Sequence, residues 1–160
     1  MRLVLLVLIF LIPSYAICIE KADFVLVIKS RSKMYLQREG KTFKEFDVVF
    51  GANPKGHKVE RGDERTPEGI YILDFKNPNS DFYKSIHISY PNEHDIERAK
   101  KSGVDPGGLI MIHGQKNGLG WLSSVTQQVN WTDGCIALSN SDMDEVWLAV
   151  DEGTPVEIRP

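Results

Sequence analysis

The chain has 160 residues, of which 42% are hydrophobic and 26% charged, and 19 basic residues set against 22 acidic ones give a formal net charge of −3. That balance excludes a nucleic-acid binder working through a basic footprint. With no low-complexity tract and no repeat at solenoid spacing, a single compact domain is expected.

The N-terminal stretch MRLVLLVLIFLIPSYAICIE has Arg2, then an unbroken apolar run from Leu3 to Ile12, then Pro13 and small residues at Ser14 and Ala16. This is the pattern of a secretory signal peptide cleaved after Ala16. The run is shorter than the roughly 20 apolar residues that a membrane span needs. Residues 1–16 are therefore expected to be a signal peptide and residues 17–160 one exported domain, in the periplasm or cell envelope. Membrane contact arises only if the signal stays uncleaved. The oligomeric state is left open.

Beyond the signal, DFVLVI (23–28) is a β-branched apolar run, and KMYLQREGKTFKEFDVVFG reads as a hairpin turning at Gly40. ANPKGHKVERGDERTPEG follows, a long stretch of charge, glycine and proline read either as a solvated loop or as a lid over a site. His57, within it, is expected in solvent. IYILDF and SIHISYPN read as strands, the second burying Ile86, Ile88 and Tyr90 by alternation and leaving His87 on its polar face. NEHDIERAKKSG is a helix capped by Asn92 and stopped by Gly103, with His94 exposed. Two short apolar strands, GGLIMIHG and GCIAL, flank the glycine-rich GQKNGLGW, which is read as a flap. SDMDEVWLAVDEG is a helix with Ser141 as its cap, and PVEIRP is a final strand. Many short strands with two or three short helices make a β-rich α+β domain.

Only two cysteines are present, Cys18 and Cys135. A domain of this size does not depend on disulfide stapling. A Cys18–Cys135 bridge and an inert buried thiol are the structural readings of Cys135. The chemical reading starts from His113, which ends one apolar strand, and Cys135, which opens the next. If those strands pair, imidazole and thiol share a face, and histidine is the usual base for a thiol whose free pKa is about 8.5. The backbone N–H groups around Asp133, Gly134 and Cys135 would then face a developing oxyanion, with Gly114 as further backbone support. No histidine or cysteine pair has zinc-ligand spacing, so neither metal nor cofactor is expected.

IMIHG followed by WTDGCIALSN resembles the HG…S/T-x-G-C signature of the YkuD-type L,D-transpeptidases, cysteine enzymes of the bacterial cell wall. GDERTPEGIYIL and YPNEHDIERAKKSGVDPGGLIMIHG resemble the family's segments upstream of that signature, in the same order. The resemblance implies a mostly antiparallel, sandwich-like catalytic domain acting on peptidoglycan stem peptides. Cys135 would be the nucleophile, His113 its base oriented by a backbone carbonyl, and Thr132 the small hydroxyl of the motif. The implied reaction is acyl transfer, with loss of a terminal D-amino acid and capture of the acyl group by an amine. L,D-carboxypeptidase or amidase activity with water as acceptor is the alternative, and so is a non-catalytic wall-binding module. Relatives often carry arginine where this chain has Ala137. Arg65 is therefore the candidate to supply positive charge to the substrate, and Trp131 is a candidate wall of the groove.

Overall fold

The alternating strands join into one curled mixed sheet. The structure, a computed structural model, describes residues 19–160. The expected signal segment and Cys18 lie outside the described residues. The strands are β1 (Phe24–Ile28), β2 (Lys33–Arg38), β3 (Lys41–Asp47), β4 (Gly69–Ser80), β5 (Tyr83–Ile88), β6 (Met111–His113), β7 (Ile136–Ala137) and β8 (Thr154–Arg159), in the order β3-β2-β1-β8-β4-β5-β6-β7. All neighbours run antiparallel except β1 with β8 and β6 with β7. Glu39 and Gly40, both at positive φ, make the tight β2–β3 turn.

Among the described residues there are also three α-helices: α1 (Glu93–Ser102), α2 (Ser123–Thr126) and α3 (Asn140–Ala149). Asn92 and Asp95 form a reciprocal capping box at the start of α1, and Gly103 closes it at φ 70°. α3 begins earlier than its sequence implies. Ser139, not Ser141, caps it by accepting the Asp142 N–H, while the Ser141 hydroxyl is spent on Ser139 Oγ at 2.9 Å. One apolar face of α3, with Met143 and Val146 fully buried, closes over the sheet residues Ile86, Ile88, Ile112, Ile136 and Leu138. Each such side chain contributes about 1.5–3 kcal/mol of burial.

The long segment between residue 51 and β4 has neither helix nor strand, and although many of its residues face solvent, it is anchored by buried charged side chains. Lys29, at the end of β1, sends its ammonium into this segment. It donates to the carbonyl oxygens of Gly56 (2.7 Å) and Thr66 (3.1 Å) and to Glu68 Oε1 (2.8 Å). Asp63 gathers Lys58 Nζ and the N–H groups of Val59, Glu60 and Arg65. His57, expected in solvent, instead lies half-buried with Nε2 3.0 Å from Asp95 of α1, and its Nδ1 accepts the Glu68 N–H. The reason is tertiary: the segment folds against α1, and the His57 ring is enclosed there beside Asp95 and Tyr90. Replacing Lys29 by methionine leaves the Glu68 carboxylate and two carbonyls without their donor. The expected result is a loss of roughly 3–5 kcal/mol in urea unfolding, with faster amide exchange over residues 56–68.

Candidate active site

β6 and β7 pair in parallel, Ile112 beside Ile136 and His113 beside Ala137. Side chains alternate between faces, so Ile112 and Ile136 point into the core while His113 and Cys135 come to the opposite face together. One step back in register Met111 lies beside Cys135, and its N–H reaches Sγ at 3.4 Å. A cavity of about 230 Å³ opens over this face, lined by both His113 and Cys135 together with Phe82, Ser85, Trp131 and Asp133.

His113 is buried, its ring 4.7 Å from Phe82 and 5.8 Å from Trp131, which meets it edge-on. Its Nδ1–H donates to the Gly114 carbonyl at 2.6 Å, an assignment that leaves Nε2 as the accepting nitrogen. Burial pulls the imidazole pKa down, and the Gly114 bond opposes this only in part. Burial also pushes the Cys135 thiol up; the Met111 N–H and the Lys58 charge pull the other way, and Asp133 adds to the rise. The resting pair is therefore neutral thiol and neutral imidazole. The thiol is free, with Sγ 3.7 Å from the Leu109 carbonyl, and among the described residues no hydrogen bond joins it to His113.

The TDGC turn is held by its own threonine. The Thr132 hydroxyl donates to the Cys135 carbonyl at 2.7 Å and accepts the Gly134 N–H at 3.2 Å. The Gly134 N–H, one of the expected oxyanion donors, is thereby occupied, whereas those of Asp133 and Cys135 have no intramolecular partner among the described residues. Asn130 Oδ1 accepts the Phe50 N–H at 2.9 Å and fixes the approach to the turn. Thr132→Val keeps the volume but strips a buried acceptor and donor of their partner. It is expected to lower stability by about 2 kcal/mol in urea titration, while Thr132→Ser stays close to the parent.

Gly114 fits its place because a Cβ there would stand 2.7 Å from Asn140 Oδ1 and 2.9 Å from Tyr83 Cβ. Trp131 is half-buried, and its indole N–H is buried with no partner among the described residues. Arg65 is not drawn into the cavity. Its backbone carbonyl packs behind Gly134, while its Nη1 lies 3.8 Å from where a Cβ would stand on Gly56. His87 sits against Asp74 at 2.7 Å, and His94 is exposed. Ala137 is fully buried and exchanges two backbone hydrogen bonds with Val49 (2.9 and 3.0 Å), so the place where relatives often carry arginine is closed by packing. Phe82 and Ser85 line the cavity without any cue in the motif. The pairing of Ser85 with His113 across β5 and β6 brings them there. Among the described residues no cluster of three or more histidine, cysteine, aspartate or glutamate side chains could hold a metal ion.

Comparison with known proteins agrees with this arrangement. YafK of Escherichia coli (strain K12) is 31% identical over 97 residues, covering 59% of this chain and 32% of YafK. The crystal structure of the helical cell shape determining protein Pgp2 from Campylobacter jejuni superposes with a TM-score of 0.63 at 28% identity, covering 84% of this chain and 46% of that one. An L,D-transpeptidase from Mycobacterium smegmatis shares the fold, with a TM-score of 0.57 at 13% identity over 86% of this chain and 58% of that one. The chain thus spans less than half the length of YafK and Pgp2. The family model of the L,D-transpeptidase catalytic domain, YkuD, matches residues 22–158, and the chain belongs to that family.

Proposed function

We propose that the protein is an exported cysteine acyltransferase of the bacterial cell envelope that acts on peptidoglycan stem peptides, with Cys135 as nucleophile and His113 as general base. The observation that carries this reading is the parallel β6–β7 register, which brings the thiol and an imidazole with a free Nε2 to one open cavity. A substrate carbonyl enters above Cys135, and rotation about the Cys135 Cα–Cβ bond takes Sγ from the Leu109 carbonyl toward Nε2. Contacts that are loose in an empty site tighten in this way when substrate binds. His113 takes the thiol proton as sulfur attacks the carbonyl of the L-centre that precedes a terminal D-residue. The Cys135 and Asp133 N–H groups face the oxyanion, and Thr132 holds the turn that presents them. The imidazolium then protonates the departing amine, and the D-amino acid leaves behind a thioester. An amine from a second stem peptide attacks that thioester and gives a crosslink.

Hydrolysis of the thioester is the second reading. The buried Ala137 favours it, because no guanidinium stands there to pin an acceptor carboxylate. Mass spectrometry of purified muropeptides incubated with the protein, and with Cys135→Ala, separates the two. A crosslinked dimer that requires Cys135 supports transfer, and a monomer shortened by one residue supports hydrolysis. Unchanged muropeptides, with no thioester on the protein, would remove both.

A further inference from the structure

The His113 ring is held by a single backbone carbonyl, that of Gly114, 2.6 Å from Nδ1. This carbonyl is one half of a peptide unit. The other half, the Gln115 N–H, donates to Asn140 Oδ1 at 2.8 Å. The C=O and N–H of a trans peptide lie in one plane and point opposite ways, so an acceptor that fixes the N–H also fixes the C=O. A line of contacts thus runs from the Asn140 amide through one peptide bond to the imidazole.

Helix capping does not account for Asn140. Ser139 caps α3 by accepting the Asp142 N–H, and Asn140 is the first helical residue behind it. The Asn140 amide is itself wedged between two glycines: a Cβ on Gly114 would stand 2.7 Å from its Oδ1, and one on Gly120 would stand 2.7 Å from its Nδ2. Because the Gln115 N–H can only donate, the amide oxygen is the atom that faces it. The Gln115 side chain is 1% exposed; its Nε2 donates to the Leu138 carbonyl at 2.6 Å and its Oε1 accepts the Thr126 hydroxyl at 2.6 Å. The Leu138 N–H donates in turn to the His113 carbonyl at 2.9 Å. Those bonds anchor the residues on either side, but they do not set the plane of the peptide between Gly114 and Gln115. Gly114, without a Cβ, is free to turn that plane, and Asn140 removes the freedom.

We propose that Asn140 is a positioning residue for acyl transfer: by accepting the Gln115 N–H it locks the Gly114 carbonyl onto His113 Nδ1–H and so keeps Nε2 as the nitrogen presented to the cavity. The inference rests on the acyltransferase reading above and deepens it. A hydrogen bond at one end of a peptide also polarises the carbonyl at the other end. The Gly114 carbonyl raises the basicity of the imidazole against the effect of burial, so an acceptor behind it adds to that support. The other titratable groups lining the cavity are Asp133 and the Cys135 thiol, while Phe82 and Trp131 against the ring are uncharged. Lys84, beside Ser85 on β5, is paired with Asp144. Asn140 lines no part of the cavity, so removing its amide reaches the ring through the peptide.

Two measurements on the full chain test this: single-turnover thioester formation from a stem tetrapeptide, and ¹⁵N NMR titration of the His113 ring, assigned through His113→Asn. Asn140→Ala removes the acceptor without adding bulk. It is expected to slow thioester formation roughly 10- to 100-fold at saturating substrate, as for a misplaced base, with the half-saturating concentration unchanged. The imidazole titration should move to lower pH, because the imidazolium loses support. Asn140→Asp keeps an acceptor oxygen and sits well in the first turn of α3, so it is expected to restore most of the rate and to move the titration to higher pH. If the alanine variant does not fold, the aspartate variant still decides, since its titration must lie above the parent's. An unchanged rate in Asn140→Ala, equal losses in both variants, or a titration that neither variant moves would overturn the proposal. A parent that forms no thioester while the titrations move removes the acyltransferase and keeps the coupling of Asn140 to the ring. A parent that forms it while neither titration moves keeps the acyltransferase and removes the coupling.

Discussion

His113→Asn is expected to slow thioester formation from a stem peptide by about 10²–10⁴-fold at neutral pH, the range for loss of a positioned general base. The size follows from the protonation states at rest. Were Cys135 already a thiolate, removing the imidazole would cost little, because the nucleophile would be made without it. Burial instead lifts the thiol above its ordinary value and holds the imidazole below its own. The proton therefore has to move during the attack, and Nε2 is the acceptor that the Gly114 bond leaves free. The same states fix the pH dependence. In the parent enzyme the basic imidazole is already present below about pH 6.5, so the rate is expected to be flat across the neutral range. In His113→Asn it should climb with pH as thiolate forms by direct ionisation, with no plateau before the alkaline range. Alkylation by iodoacetamide without substrate should likewise keep rising past pH 8.5 in the parent. A loss below tenfold, or an alkylation plateau near neutrality, would mean a preformed thiolate and a different mechanism. Because His113 packs against both Phe82 and Trp131, which also stack on each other, thermal unfolding of the variant is measured beside the rates.

What could be read from the chain was chemistry that acts over a few residues. Asn92 and Gly103 bracket α1 through bonds within four positions, and the Glu39–Gly40 turn follows from a single left-handed step. The His113–Cys135 pair is longer in range, yet it needed only that two short apolar strands lie side by side. The rest was set by partners remote in sequence. Lys58 and His57 sit in a segment with no periodicity, and only Asp63 and the distant Asp95 explain why they are withdrawn from water. Phe82 reaches the site because the antiparallel β4–β5 turn and the β5–β6 register carry it there, which no local pattern encodes. Arg65 shows the limit most clearly. Its carbonyl lies against Gly134 at the heart of the site, but its side chain turns toward Gly56, and spacing along the chain cannot tell these apart.

That contact makes Gly134→Ala the other large effect. Gly134 has φ 127°, a region that costs an L-residue about 1–3 kcal/mol. A Cβ there would stand 2.6 Å from the Arg65 carbonyl oxygen and 3.2 Å from Ile110 Cδ1. The isoleucine methyl can turn aside. The carbonyl cannot, because the Arg65 N–H is tied to Asp63 and the next residue, Thr66, is buried with its carbonyl on Lys29. The turn must therefore move, and with it the Thr132 clamp and the Cys135 N–H that faces the oxyanion. A displacement near 1 Å at a reacting centre can cost about 100-fold in rate. Gly134→Ala is accordingly expected to lose at least about 100-fold in thioester formation, and to lower stability by more than the strain alone. Gly118→Ala is the control: it too has a positive φ, 82°, but nothing lies within 4 Å of its Cβ, so it should pay the conformational cost and keep the rate. If both substitutions slowed acylation equally, left-handed backbone rather than the Arg65 contact would be the cause. If neither did, the turn would not be what positions the nucleophile.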